Sequence, residues 1–94
     1  MIISFGTKET EKISNGEFVK KIPIEIQKIG RRKLRMLNNS QNLTDLKIPP
    51  SNRLEKLTGK LKEYHSIRIN DQWRIIFKWK NNNSYQVKIT DYHK

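Results

Sequence analysis

Between Tyr64 and His93 the residues alternate in a way that leaves few folds open. Ile67 and Ile69, then Trp73, Ile75, Phe77 and Trp79, then Tyr85, Val87 and Ile89 recur at every second position, in three runs with a clear break at Asn81-Asn82-Asn83-Ser84. A period of two in β-branched and aromatic residues predicts strands with one buried face, and three such runs close together predict an antiparallel meander. The intervening positions hold Arg68, Arg74, Lys78, Lys80 and Lys88. The same sheet therefore buries one face and displays cations on the other, and the second face is the expected working surface. Alternation carried past Ile89 puts Asp91 and His93 on the apolar side and Tyr92 on the basic side. The last strand has to bend or end there for His93 to join the cations. His65 falls on the side of Ile67, where it reads as a partly buried structural histidine.

Upstream, Ile2-Ile3-Ser4-Phe5 predicts a short first strand bordering this sheet, and Lys8 to Lys12 a brief exposed helix ended by Ser14-Asn15-Gly16. Pro23 opens the main helix, from Ile24 to about Asn38. On a 3.6-residue wheel Ile26, Ile29, Leu34 and Leu37 gather on one side and Lys28, Arg31, Arg32 and Arg35 roughly opposite, with Lys33 a misfit nearer the apolar side. Cations three and four apart with no interleaved acid repel one another. That face reads equally as a solvated surface or as one meant for phosphate. A loop from Asn39 to Ser51 is pinned by Leu43, Leu46 and Ile48 and stiffened by Pro49-Pro50. Ser51 to Leu57 then makes a helical turn or an extended strap with Leu54 and Leu57 inward, and Arg53, Lys56, Lys60 and Lys62 add charge near it. The order is strand, two helices and a three-stranded meander, which predicts an α+β architecture with the helices on one sheet face. With 94 residues and no shift in composition, a single domain over residues 1–94 is expected.

Charge narrows the partner. Lys and Arg number 20 against 9 Asp and Glu, a net charge of +11. So large an excess in a short chain repels itself and points to a polyanion, nucleic acid first. Cysteine is absent, which removes disulfides and thiolate metal sites and fits a reducing compartment. The first twenty residues lack the apolar run of a signal peptide and no stretch is long enough to span a membrane, so a cytoplasmic protein is expected. With only two histidines and no clustered carboxylates, no metal or other cofactor is expected.

His93 is the residue best suited to proton transfer near neutral pH. On spacing alone a histidine so near the end is incidental. Its company changes that, because Arg68 and Arg74 on neighbouring strands can hold a phosphate within reach of it. In RNA the ribose 2′-hydroxyl can attack its own neighbouring phosphate, so a protein need only align it, stabilise the pentavalent oxyanion and protonate the leaving 5′-oxygen. Under this reading Arg74 supplies charge to the phosphate, Arg68 assists, His93 is general acid or base, Tyr92 stacks on a base or shares proton transfer, and Asp91 orients the histidine. Lys78, Lys88, Lys60, Arg31, Arg32 and Arg35 join Arg68 and Arg74 as RNA-binding candidates.

The block Asn52-Arg53-Leu54-Glu55-Lys56-Leu57-Thr58-Gly59, followed by Tyr64, by Ser66-Ile67-Arg68-Ile69-Asn70-Asp71-Gln72-Trp73-Arg74-Ile75 and by the closing Asp91-Tyr92-His93, resembles the HigB toxins of the RelE/ParE superfamily. The likeness extends to the opening Met1-Ile2 and Ser4-Phe5 and to Arg31-Arg32-Lys33-Leu34 leading into Pro49-Pro50. It implies a small RelE-like fold, a ribosome-dependent mRNA endonuclease acting during translation, and neutralisation by a HigA-like helix-turn-helix antitoxin. It also implies active-site roles for Arg74, Asp91, Tyr92 and His93. Lys60 and Glu63 stand where the family often has Asp and Gly, His65 replaces a frequent aromatic, and Glu55 occupies a strap position where some members have a catalytic histidine. Two other readings stand beside it. A ParE-like toxin of the same fold acts by binding alone, as those that target DNA gyrase do, and a basic RNA-binding module needs only the cationic excess.

Overall fold

The computed structural model describes residues 1–91, so Tyr92 and His93 lie outside the described residues. Two α-helices come first, α1 at Lys8–Ser14 and α2 at Ile24–Asn39. The strands follow as β1 at Glu55–Lys56, β2 at Tyr64–Arg68, β3 at Trp73–Lys80 and β4 at Asn83–Asp91, in one antiparallel sheet of order β1-β2-β3-β4. Ile67 pairs with Ile75 and Ile75 with Ile89, so the apolar parity stacks in register across three strands. Ile67, Ile75, Phe77 and Val87 are fully buried with Ile13, Leu34 and Leu37. Each such side chain contributes about 1.5–3 kcal/mol over leaving it in water.

The architecture is the expected α+β one with two corrections. The sheet has a fourth strand, because the left-handed backbone at Arg53 (φ 45°) turns the strap alongside β2, where Glu55 faces Ser66 and Lys56 faces His65. The first segment is no regular strand. It meets β4 only at isolated parallel bridges, Ile2 with Ser84 and Phe5 with Val87. A bulge in β4 breaks the ladder it would need: Ile76 pairs with Lys88 but Lys78 with Tyr85, so Phe77 faces two residues, Gln86 and Val87. That same bulge reverses the parity of Tyr85. The expectation that Tyr85 lies on the apolar side is wrong, for it stands opposite Lys78 on the cationic face, and Ser84 takes the inward position.

Helix α2 packs on the apolar face of the sheet with Gly30 against Ile89 and Ile69. A Cβ on Gly30 would come within 3.0 Å of the Ile89 side chain and 3.5 Å of Ile69, so glycine there sets the depth of contact. Buried polar groups fix the segments around it. The Gln27 amide accepts from Val19 N–H at 2.9 Å and donates to the carbonyls of Val19 and Ile22, which pins the connection between the helices. Thr10 of α1 accepts the Ile89 N–H of β4 at 2.9 Å. Lys33, the misfit of the helical wheel, donates to Asn52, whose own amide donates to the Leu46 carbonyl at 3.1 Å. The strap that carries β1 is thereby anchored to α2. No helix among the described residues is long and apolar enough to cross a membrane.

Candidate functional site

Directly paired residues of adjacent strands share a sheet face. On the face away from α2 the register therefore writes three rows: Arg68, Arg74 and Thr90; then Ser66, Ile76 and Lys88, extended by Glu55 of β1; then Tyr64, Lys78 and Tyr85. Arg74 sits near the middle with only 11% of its side chain exposed. Its Nη1 donates to Ser66 Oγ at 2.8 Å and lies 3.1 Å from Glu55 Oε1, a carboxylate that is itself about half exposed. A planar guanidinium held in this way is fixed in orientation rather than free to swing. Arg68 pairs with Asp71 in the β2–β3 turn. The ammonium groups of Lys78 and Lys88 stand 5.4 and 5.5 Å from the centre of the Tyr64 ring, and Lys78 is also 3.8 Å from Glu63. Arg68, Arg74, Lys78 and Lys88 thus occupy one surface.

β4 ends beside the row of Arg74, with Asp91 on the opposite face of the sheet. Asp91 pairs with Trp73, next to the row of Arg74 and Thr90, and its Oδ2 accepts from Gln72 Nε2 at 3.0 Å. Its parity is that of Trp73, as alternation requires. Lys60 is exposed in the helical turn Gly59–Leu61 ahead of β2. The α2 arginines stand elsewhere. Arg32 and Arg35 are exposed on the helix, whose other side covers the apolar face, so the structure does not bring them together with Arg74. Arg31 is half buried, donates from Nε to the Ile13 carbonyl at 3.0 Å and lies over the Phe18 ring at 5.4 Å, which ties α1 to α2.

His65 keeps the inward parity read from the alternation and stacks on Phe77 with ring centres 6.0 Å apart. Its Nδ1 is buried with no hydrogen-bond partner. Burial first, and the charge of Lys56 second, lower its pKa from the ordinary 6.5. A histidine held neutral by the fold stabilises it fully above pH 6.5 and progressively less as pH falls through that value toward the lowered folded pKa. Melting curves at pH 7 and pH 5 are therefore expected to differ more for the wild type than for His65→Phe, which keeps the stack and removes the proton.

A family model described as the RelE-like toxin of the type II toxin–antitoxin system HigB matches residues 4–93. The chain belongs to this family. An uncharacterized protein of Haemophilus influenzae is 45% identical over 67 residues, 71% of this chain and 66% of its own length. Toxin HigB-1 of Vibrio cholerae is 50% identical over 58 residues, 62% of this chain and 61% of its own. The chain thus spans about two thirds or less of the length of these curated relatives. Within this HigB-like sheet, Glu55 is the neighbour of Arg74 that reading the sequence for chemistry overlooked. The available signal was its place in the strap, at the position where some members of the family carry a histidine.

Proposed function

We propose that this chain is the toxin of a type II toxin–antitoxin pair and acts as a ribosome-dependent endoribonuclease that cuts messages during translation. Its family supports the toxin role. The observation that carries the chemistry is the Arg74 guanidinium, held against Ser66 and Glu55 on a cationic sheet face.

In the proposed reaction an RNA phosphate lies against the Arg74 guanidinium, with Arg68 adding charge. The 2′-oxygen of the preceding ribose attacks phosphorus and gives up its proton, and the bond from phosphorus to the 5′-oxygen breaks. The products are a 2′,3′-cyclic phosphate and a 5′-hydroxyl. Negative charge grows on the non-bridging oxygens in the pentavalent state, which is where a preoriented guanidinium is most effective. Glu55, half exposed beside Arg74, accepts the 2′-hydroxyl proton. His93 protonates the leaving 5′-oxygen, and Tyr92 stacks on a neighbouring base. Asp91, next to the Arg74 row, begins the segment that carries both. The partner that restrains this activity is a HigA-like helix-turn-helix antitoxin using acidic side chains against the basic surface.

Brief induction of the protein in growing cells, followed by mapping of 5′ ends, tests this reading. New ends within translated messages, dependent on ribosome passage, are the expected result. Growth arrest with every message intact would replace it with inhibition by binding alone.

A further inference from the structure

The geometry points to a nucleobase-stacking subsite at Tyr85, at the far end of the sheet from Arg74, which we propose holds one unpaired base of the same RNA strand. The inference rests on the proposed function and adds a place where the strand is gripped away from the reacting phosphate.

Strain identifies the place. Gln86 has φ 49°, a left-handed conformation that glutamine seldom adopts and that costs on the order of 1–3 kcal/mol. The surrounding structure holds it there from several sides. The Gln86 N–H donates to Ser4 Oγ at 2.9 Å, and its side-chain oxygen accepts from the Tyr64 hydroxyl at 3.1 Å. Val87 N–H donates to the Ser4 carbonyl at 3.1 Å, and Gly6 N–H to the Val87 carbonyl at 2.8 Å. A Cβ on Gly6 would stand 3.0 Å from the Gln86 carbonyl oxygen, so a larger residue there would push the two segments apart by a few tenths of an ångström. What the bulge accomplishes is to re-aim one side chain. Without it Tyr85 would face the core; with it, Tyr85 joins Lys78 on the cationic face.

The surroundings of Tyr85 suit a nucleotide. A cavity of about 340 Å³ opens between Tyr85, Lys78, Lys80 and Asn81. That is within the range that encloses a small ligand. The tight turn at Asn81-Asn82, both with positive φ, brings Asn81 and Lys80 to its rim. An aromatic face flanked by ammonium groups offers stacking to a base and charge to its phosphate, which is how unpaired strands are held without reading their sequence. Tyr85 pairs with Lys78, four residues from Arg74 along β3, a span of about 13 Å. A short stretch of unstacked strand bridges it.

The test is fluorescence anisotropy with a labelled single-stranded RNA dodecamer and a duplex of the same sequence, on wild type, Tyr85→Ala, Tyr85→Phe, Lys80→Ala and Arg74→Ala. Tyr85→Ala is expected to weaken single-strand binding about tenfold with an unchanged salt slope, while Tyr85→Phe retains it and duplex binding shows no dependence on the ring. Lys80→Ala, at an exposed position that folding does not need, should shallow the salt slope by about one phosphate contact. Single-strand binding by Tyr85→Ala and Lys80→Ala equal to wild type, with Arg74→Ala still impaired, overturns the subsite and leaves the proposed function standing. Wild-type protein that binds no free single-stranded RNA overturns the subsite too and leaves the ribosome-dependent function to the mapping of 5′ ends.

Discussion

His93→Ala is expected to slow cleavage of a ribosome-bound message about 10²- to 10⁴-fold while RNA remains bound as well as before. The expectation follows from dividing the work. Attack by the 2′-oxygen needs a proton removed and departure of the 5′-oxygen needs one supplied, and a side chain that only exchanges protons contributes to the rate and not to the grip. The described face offers a carboxylate, Glu55, beside Arg74, but no imidazole, since His65 is stacked inward on Phe77. His93 follows Asp91 by two residues in the sequence, and Asp91 pairs with Trp73, the neighbour of Arg74 on β3. Single-turnover cleavage across a pH series checks the assignment. The wild type should show two limbs and the variant should lose the one belonging to the acid. An unchanged rate and an unchanged profile in His93→Ala would remove this histidine from the chemistry.

The parity of the meander was legible because alternation over three adjacent strands has one consistent solution, and Ile67, Ile75, Phe77 and Val87 are buried as it requires. Tyr85 was not, because one extra residue at Gln86 shifts the period and nothing about a glutamine announces a left-handed turn. The basic stripe of α2 was legible as a stripe but not in its use. A helical wheel sees only its own helix, whereas Arg31 is claimed by the Ile13 carbonyl and Phe18 of another segment, and Lys33 by Asn52. Glu55 escaped for a related reason: β1 is two residues long, and so short a strand carries no period. Its register opposite Ser66 is set by Arg53 and by the anchoring of Asn52, both long-range effects. Local pattern thus placed the cationic face and its arginines, while tertiary contacts decided which acids and aromatics joined them.

Arg74→Ala is expected to lower cleavage at least about 10²- to 10³-fold in kcat/KM and, unlike His93→Ala, to weaken RNA binding as well. Under the proposed function the guanidinium meets the phosphate in the ground state and the oxyanion in the pentavalent state, so its loss should reach both terms. Loss of one phosphate contact should also shallow the salt dependence of binding, by about 0.7 in the logarithmic slope for a single strand. Arg74→Lys separates charge from shape. The lysine restores an ammonium near the phosphate but cannot reproduce the planar, multiply held guanidinium that contacts Ser66 and Glu55, so binding is expected to recover further than the rate. A structural explanation of the same defect makes a different demand. The Arg74 side chain is largely buried and its loss leaves the buried Ser66 hydroxyl without this donor, so Arg74→Ala should melt modestly below the wild type, and Arg74→Lys should recover stability without recovering the rate. If instead Arg74→Ala melted far below the wild type, and Arg74→Lys restored stability and activity together, the arginine would be bracing the strap against the sheet, and the phosphate-binding role argued for it would fall.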